Sequence, residues 1–185
     1  MKQLPNIKTE RLLLAELRSS DVPEIVQHAG NKKVSDTTLN IPFPYTEKDA
    51  IYWINLAHQG FKNGTHVIFG IRLKPKNELI GGIGLTIDSR SKRAEIGYWM
   101  AESLWNQGYT TEAARAIIKF GFEELGLNKV TSSHFAKNPA SGKVMLKSGM
   151  YKEGELKEHV LKNDTFHTLI LYGLTRAQYE GKAKY

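Results

Sequence analysis

A chain of 185 residues with 41% hydrophobic and 24% charged side chains holds enough material for one domain with a real core and too little for two, so a single domain over 1–185 is expected. The absence of cysteine excludes disulfides, thiolate metal sites and a cysteine nucleophile, and fits a reducing cytoplasm; no apolar run approaches the roughly 18 residues of a membrane helix, and the N-terminus has no signal-peptide core. The net charge of +7 points to an acidic partner: nucleic acid, an anionic membrane or a phosphorylated cofactor. The cofactor is favoured, because aromatic-interleaved basic patches and zinc-finger or RNA-motif signatures are missing.

In chain order, Arg11 to Glu16 reads as a first strand. Ser19 or Ser20 then caps a helix that begins near Asp21, carries Pro23 in its first turn and ends around Gly30. Residues 31–45, interrupted by Pro42 and Pro44, read as a loop, and loops of this length usually carry function. Thr46-x-x-Asp49 forms a capping box for a helix to about Phe61, with Ile51, Ile54 and Ala57 or His58 facing inward and Gly64 closing it. Thr65 to Leu73 and Glu78 to Asp88 are two strands joined by a hairpin at Lys74-Pro-Lys-Asn77. Gly81, Gly82 and Gly84 lie inside the second of them. No helix opens after them, so they mark a bulge or close packing and not a dinucleotide fingerprint.

Residues 94–114 organise the rest of the chain. Ala94 to Met100 is a β-branched and aromatic strand, Trp105 to Thr110 a short loop holding Gly108, and Ala113 onward a helix whose Ala114, Ile117, Ile118, Phe122 and Leu125 recur at spacings of three and four. A loop running into a helix leaves backbone N–H groups unpaired and aims the positive end of the helix dipole forward, which suits a phosphate. Gly108 has no Cβ to keep a ligand off the main chain; Asn106 and Gln107 add donors, and Thr110 or Thr111 bonds a phosphate oxygen or caps the helix. A plain turn and cap explain the same residues. The downstream charge favours the anion: Arg115, Lys119, Lys129, Lys137, Lys143, Lys147 and Lys152 face only Glu123 and Glu124 up to residue 152. Beyond the helix, Lys129 to Ala136 is a strand, and Asn138 caps a short helix with Pro139 first and Gly149 after its end. Tyr151 to Leu161 and Thr165 to Leu174 form a hairpin turned at Lys162-Asn-Asp164, and 175–185 reads as a polar tail.

The run from Glu95 to Met150 resembles the GCN5-related N-acetyltransferases (GNAT), and among them the RimJ/RimL-like branch that acetylates ribosomal-protein N-termini. Where that family has Gln/Arg-x-x-Gly-x-Gly/Ala, this chain has Trp105-Asn-Gln-Gly108-Tyr-Thr110, so Trp105 and Thr110 depart from the pattern. The block Asn138-Pro-Ala-Ser141-x-x-Val-Met-Leu-Lys147-Ser-Gly149-Met150 supports it independently, as do Thr9-Glu-Arg-Leu-Leu-Leu14 and Ile41-Pro-Phe-Pro-Tyr-Thr46. The resemblance implies an α/β (α+β) fold with a mixed, mostly antiparallel sheet of about seven strands and four main helices. Its strands Ala94–Met100 and Lys129–Ala136 would be parallel and splayed, taking up the pantetheine arm of acetyl-CoA as an added strand, with Gly97 suited to the break. It implies coenzyme contacts from Tyr98, Trp99, Met100, Trp105, Asn106, Gln107, Gly108, Tyr109, Thr110, Thr111, Asn138, Ser141 and Lys147. It implies acceptor contacts from Phe43 and Tyr45, which otherwise read as aromatic plugs under a long loop.

Acetyl transfer from a thioester to an amine needs a neutral amine, a polarised carbonyl and a proton for the departing thiolate. Neutralising a lysine amine at pH 7 costs about 4 to 5 kcal/mol and an α-amine only about 1 to 1.4. The first expected acceptor is therefore a protein or peptide N-terminus, the second a small amine, polyamine or antibiotic; a non-catalytic CoA- or RNA-binding protein is the reading from a different class. Glu95 matches the general-base glutamate of histone-acetylating relatives, and reads equally as a structural partner of Arg93 or a neighbouring strand; Glu158 and His159 are secondary candidates. The tyrosine acid of many relatives falls at Met145 here, which leaves Ser141 as acid or as a first-turn cap. Backbone N–H groups near Tyr98 to Met100 would polarise the carbonyl, and Asn138 touches pantetheine, holds the splayed strand or caps its helix. The six histidines, His28, His58, His66, His134, His159 and His167, have no metal-ligand spacing, so no metal is expected. No Gly-x-Ser-x-Gly elbow supports a hydrolase. Nucleic acid is expected only through a ribosomal substrate, no membrane is expected, and a monomer or homodimer fits.

Overall fold

The computed structural model describes residues 3–182. In chain order these form β1 (Ile7–Lys8), β2 (Leu12–Ala15), a 3-10 turn at Ser19–Asp21, α1 (Val22–Ala29), α2 (Lys32–Asp36), α3 (Glu47–Asn63), β3 (His66–Leu73) and β4 (Glu78–Asp88). There follow β5 (Arg93–Met100), a second 3-10 turn at Glu102–Leu104, α4 (Tyr109–Glu123), β6 (Lys129–Phe135), α5 (Pro139–Lys147), β7 (Tyr151–Lys162), β8 (Thr165–Thr175) and α6 (Arg176–Lys182). The strands make one sheet in the order β1-β2-β3-β4-β5-β6-β8-β7, antiparallel except for β5 against β6. This is the mixed sheet expected, with eight strands rather than about seven and six helices rather than four.

The extra elements are those that sequence periodicity cannot register. β1 is two residues long and pairs only with Leu13 and Leu14. α2 spans five residues inside the stretch read as loop, started by the Asn31 side chain, which accepts from the Lys33 N–H at 2.8 Å. α6 occupies most of the stretch read as a polar tail. It is held by Tyr179 stacked on Phe122 at 4.7 Å, and by the Arg176 guanidinium donating to the carbonyls of Phe122 (2.6 Å) and Leu127 (3.1 Å). Residues 183–185 of that tail lie outside the described residues.

The capping box of α3 forms as read, with Asp49 accepting from the Thr46 N–H at 2.7 Å. Ile54 and Ala57 face inward as expected, joined by Ala50 and Gly60, whereas Ile51 is 49% exposed and Ala50 takes its place in the stripe. Neither Ser19 nor Ser20 caps α1. Asp21 stands at the N-cap position without a side-chain cap bond; its carboxylate holds the preceding turn instead, accepting from the Arg18 N–H at 2.7 Å and from the Arg72 guanidinium of β3 at 2.7 Å.

Helices cover both faces of the sheet. Against one face, α4 and α5 close the larger core, with Phe69, Ile83, Leu85, Ile117 and Phe122 at its centre. Against the other, α1 to α3 close a smaller core around Ile25, Ile54, Ile68 and Trp99. The β4 glycines serve this packing: a Cβ on Gly82 would lie 2.4 Å from the Trp53 ring, and the β3–β4 register shifts between Ile71 and Arg72, where Gly81 and Leu79 are the successive partners. Among the described residues no helix is long and apolar enough to cross a membrane.

The parallel ladder between β5 and β6 pairs only Arg93–Glu95 with Lys129–Thr131. Beyond it the strands diverge, and the Ser132 hydroxyl reaches across to the Ile96 carbonyl at 2.9 Å. That divergence positions the site.

Candidate functional site

Two features meet at the split. The first is the start of α4. Gly108 stands at its N-cap with φ 82°, and Asn106 two residues before it is also left-handed, with φ 62°. The first intrahelical bond runs from the Glu112 N–H to the Gly108 carbonyl at 3.0 Å. The N–H groups of Tyr109, Thr110 and Thr111 precede that bond, and no described side chain caps them, so three donors and the dipole face outward together. Helix α4 starts four residues earlier than its apolar pattern implies, because its first turn faces this opening and carries no buried stripe.

The loop is braced from beneath by the chain's opening residues. Glu112 accepts from the Thr9 hydroxyl (2.6 Å), the Arg11 N–H (2.8 Å) and Arg11 Nε (2.7 Å). The same guanidinium donates to the Gln107 carbonyl at 3.0 Å and lies 4.4 Å from the Tyr109 ring centre. Trp105 donates its indole N–H to the Met100 carbonyl at 2.8 Å, tying the loop to the end of β5, and the Gln107 side chain donates to the Ser103 carbonyl at 3.1 Å. Burial pushes the Glu112 carboxyl up, but its bonds from Thr9 and Arg11, with the Arg11 charge, hold it below its ordinary value of 4.5. A depressed folded-state value means stability present above the unfolded value and lost as pH falls through the folded one. Glu112→Gln is therefore expected to lower the melting temperature at pH 7, and the gap to the parent protein to narrow below about pH 4, as read by thermal melts across pH.

The second feature is a cavity of about 700 Å³ whose lining draws on both faces of the split strands. One half is walled by Glu95, Gly97 and Trp99 of β5, Ser133 and Phe135 of β6, Trp53 of α3 and Tyr45; the other by Ile96, Tyr98, Ser132, His134 and Ser141. Period-two alternation along β5 and β6 puts the two sets on opposite faces, and the divergence joins them. Glu95 accepts from the Ser133 hydroxyl at 3.3 Å, while Arg93 pairs with Asp88 at 3.3 Å. The Ser141 hydroxyl lies 2.8 Å from the Tyr98 phenol, which also reaches the Ser141 carbonyl at 3.2 Å. Burial pushes the Tyr98 phenol up to about 12 against the lowering bond from Ser141, so it stays protonated at physiological pH. His134 Nδ1 donates to the Phe135 carbonyl at 2.7 Å, and its buried Nε2 has no partner among the described residues; a Cβ on Gly142 would lie 2.6 Å from it.

The loop over this cavity, residues 37–42, is tethered from the far side of the fold. Lys162 at the β7–β8 turn donates to the carbonyls of Ser35 (2.6 Å), Thr38 (2.5 Å) and Ile41 (3.0 Å). The Asn138 amide caps α5 through the Ser141 N–H (3.4 Å) and donates to the Thr37 carbonyl (3.3 Å), so both its ends are engaged. Of the residues singled out from the sequence, Glu95, Tyr98, Trp99, Ser141 and Tyr45 converge on the cavity. Phe43 does not line it and is 53% exposed, with Lys32 Nζ 5.9 Å from its ring centre. Glu158 and His159 sit exposed in the irregular middle of β7, also outside the lining. Lys147 is exposed at the end of α5, its carbonyl accepting from Arg115 of α4 at 2.7 Å. Sequence reasoning missed the Arg11–Glu112 brace, the pairing of the Tyr98 phenol with Ser141, Trp53 and Lys162; only the Thr9-Glu-Arg motif gave a signal, and it named no partner. Among the described residues no three His, Asp or Glu side chains gather closely enough to hold a metal ion.

Comparison with known proteins agrees with this fold. Residues 11–151 match the family model described as an acetyltransferase (GNAT) domain. A ribosomal-protein-serine acetyltransferase of Escherichia coli is 36% identical over 147 residues, covering 77% of this chain and 79% of that protein. The crystal structure of a GNAT-family acetyltransferase from Bacillus anthracis superposes with a TM-score of 0.82 at 26% identity, covering 92% of this chain and 98% of the other. RimL, a ribosomal α-N-protein acetyltransferase solved in complex with coenzyme A, shares the fold with a TM-score of 0.85 at 19% identity over 92% of this chain and 98% of its own. The chain belongs to the GNAT family of acetyltransferases.

Proposed function

We propose that the protein transfers the acetyl group of acetyl-CoA to a primary amine by direct attack, with the α-amine of a protein or peptide as acceptor. The observation that carries this reading is the continuity of the cavity through the β5–β6 split, with a carboxylate on one wall and a hydroxyl pair on the other. The coenzyme fits the residues present: the free N–H groups of Tyr109 to Thr111 match diphosphate oxygens, and the main chain of β5 beyond Glu95 has no ladder partner in β6, which suits an extended amide-bearing arm.

When bound there, acetyl-CoA supplies an activated acetyl thioester. Glu95 then takes a proton from the incoming ammonium, directly or through one water, a modest demand for an α-amine whose neutralisation costs about 1 to 1.4 kcal/mol at pH 7. Main-chain N–H groups of β5 that point into the split polarise the carbonyl as charge builds on its oxygen. Ser141 Oγ gives its proton to the leaving sulfur, and the Tyr98 phenol, 2.8 Å away, keeps that hydroxyl in place and can replenish it. An α-amine acceptor is supported by this low proton cost and by the ribosomal-protein relative.

Thiol release from acetyl-CoA in the presence of short peptides with free or blocked N-termini tests the reading; blocked peptides should release none. Ser141→Ala is expected to lower kcat by about 10- to 100-fold with the KM for acetyl-CoA nearly unchanged. Tyr98→Phe should act in the same direction, and the double variant should lose less than the product of the two. Full turnover by either single variant would reduce the pair to a packing contact.

A further inference from the structure

We infer that the acceptor is an amine with an apolar or aromatic body and no carboxylate near the reacting nitrogen, a selectivity imposed by the walls of the acceptor half of the cavity. This rests on the amine-acceptor reading above and narrows it to a chemical class. The first ground is charge. In a chain of net +7, the described residues that line the cavity include no lysine and no arginine; its only carboxylates are Asp49 and Glu95. The basic residues Arg115 and Lys147 lie instead beside the α4–α5 contact, on the other face of the sheet. A free amino acid would have to bring its own carboxylate beside two others; the basic groups nearby are His66, whose Nδ1 is paired with the Thr65 hydroxyl, His134 in the other half, and the Lys162 ammonium behind the roof, already engaged by the carbonyls of Ser35, Thr38 and Ile41. An α-amine followed by an amide carries no such charge, and its ammonium is drawn toward the same two acids.

The second ground is the shape and chemistry of the walls. Trp53 and Trp99 meet edge to face, 5.8 Å apart and inclined at 62°, and Gly82 leaves room for both, since a Cβ there would lie 2.4 Å from the Trp53 ring and 2.7 Å from Trp99 Nε1. Such faces attract both an ammonium and a flat apolar body. The floor is a cross-strand pair of glycines, Gly84 opposite Gly97, and a Cβ on Gly97 would meet nothing within 4 Å. That open space, in a cavity also lined by both indoles and Phe135, can receive a ring. Asp49 keeps its charge at the rim because the Thr46 hydroxyl and N–H hold its carboxyl below the ordinary value.

The test uses amines that share a body and differ in one carboxylate: tyramine against tyrosine, and phenylalaninamide against phenylalanine. Binding is read by quenching of tryptophan fluorescence in the presence of coenzyme A, and turnover by thiol release on the same panel. The carboxylate-free member of each pair should bind at least about tenfold more tightly. In the double variant Asp49→Asn with Glu95→Gln, which keeps an oxygen for Thr46 and for Ser133, that ratio should fall toward unity. Equal binding of the two members by the parent protein, or a ratio unchanged in the double variant, would overturn the inference. Selective binding with no thiol release from any amine would uphold the cavity's selectivity and sink the transfer reading, so the two failures are separable. Trp53→Ala provides an independent check: it should weaken binding of the aromatic amines by at least about tenfold while coenzyme A binds as before, and unchanged amine binding would place the acceptor elsewhere.

Discussion

Replacing Gly108 by tryptophan is expected to weaken acetyl-CoA binding by at least about 100-fold while leaving the protein folded. The magnitude follows from the donors at the turn. Three main-chain donors at the positive end of α4, those of Tyr109, Thr110 and Thr111, precede the first intrahelical bond, and bonds from such donors to an anion contribute about 1.5 to 3 kcal/mol each. An indole over them removes at least two. A side chain at φ 82° also strains the turn by roughly 1 to 2 kcal/mol. Its Cβ begins 3.4 Å from the Arg11 guanidinium, which would be pushed off the Gln107 carbonyl and the Tyr109 ring. Titration calorimetry with acetyl-CoA measures the loss, and a thermal melt verifies the fold. Near-normal affinity in the variant would mean that the diphosphate is held somewhere else.

The largest expected effect on stability lies far from the site. Arg72 and Asp21 form a buried ion pair at 2.7 Å, with 7% and 3% of their surfaces exposed. The guanidinium also reaches the Glu16 carbonyl at 3.4 Å, and Asp21 holds the Arg18 N–H that starts the turn into α1. Arg72→Met should cost about 3 to 5 kcal/mol, because it leaves a buried carboxylate with one neutral donor and no counter-charge. For a chain of this length that is a fall of roughly 6 to 20 °C in melting temperature. The companion variant Arg72→Met with Asp21→Leu should recover part of the loss, since both charges are then gone. A single variant that melts with the parent protein would show that water, not Arg72, solvates Asp21.

The sequence made the locally encoded parts of this architecture readable. Thr46 and Asp49 announce α3, Lys74-Pro-Lys-Asn77 announces the β3–β4 turn, and Asn138 with Pro139 announces α5, because each device acts across four residues or fewer. The split between β5 and β6 was foreseeable only through the family resemblance. What escaped is long-range. The Arg11–Glu112 brace joins residues 101 apart, the Tyr98–Ser141 pair 43 apart and the Lys162 tether up to 127 apart, and no period or propensity encodes such meetings. α6 escaped for another reason: its docking uses a guanidinium and one ring, so a helix that is polar in composition still has a buried purpose. Ile51 against Ala50 is a shift of one residue, 100° around the helix, which a short apolar stripe cannot resolve.

These chance-like meetings have one consequence for activity. The loop that roofs the cavity is fixed by Lys162 and Asn138 as well as by local bonds from the Ser35, Thr37 and Thr38 hydroxyls, and burial already holds the Lys162 ammonium below its ordinary value. Lys162→Met should therefore raise the KM for the amine more than that for acetyl-CoA, in steady-state assays that vary each in turn.

The proposed reaction requires the start of α4 to receive a diphosphate and the β5–β6 split to receive the arm attached to it. A crystal structure with acetyl-CoA is the most direct measurement. The expected result is diphosphate oxygens accepting from the N–H groups of Tyr109 to Thr111, with the thioester in the split beside Ser141 Oγ. Diphosphate bound away from that helix start, or a split closed by β5 pairing fully with β6, would contradict it.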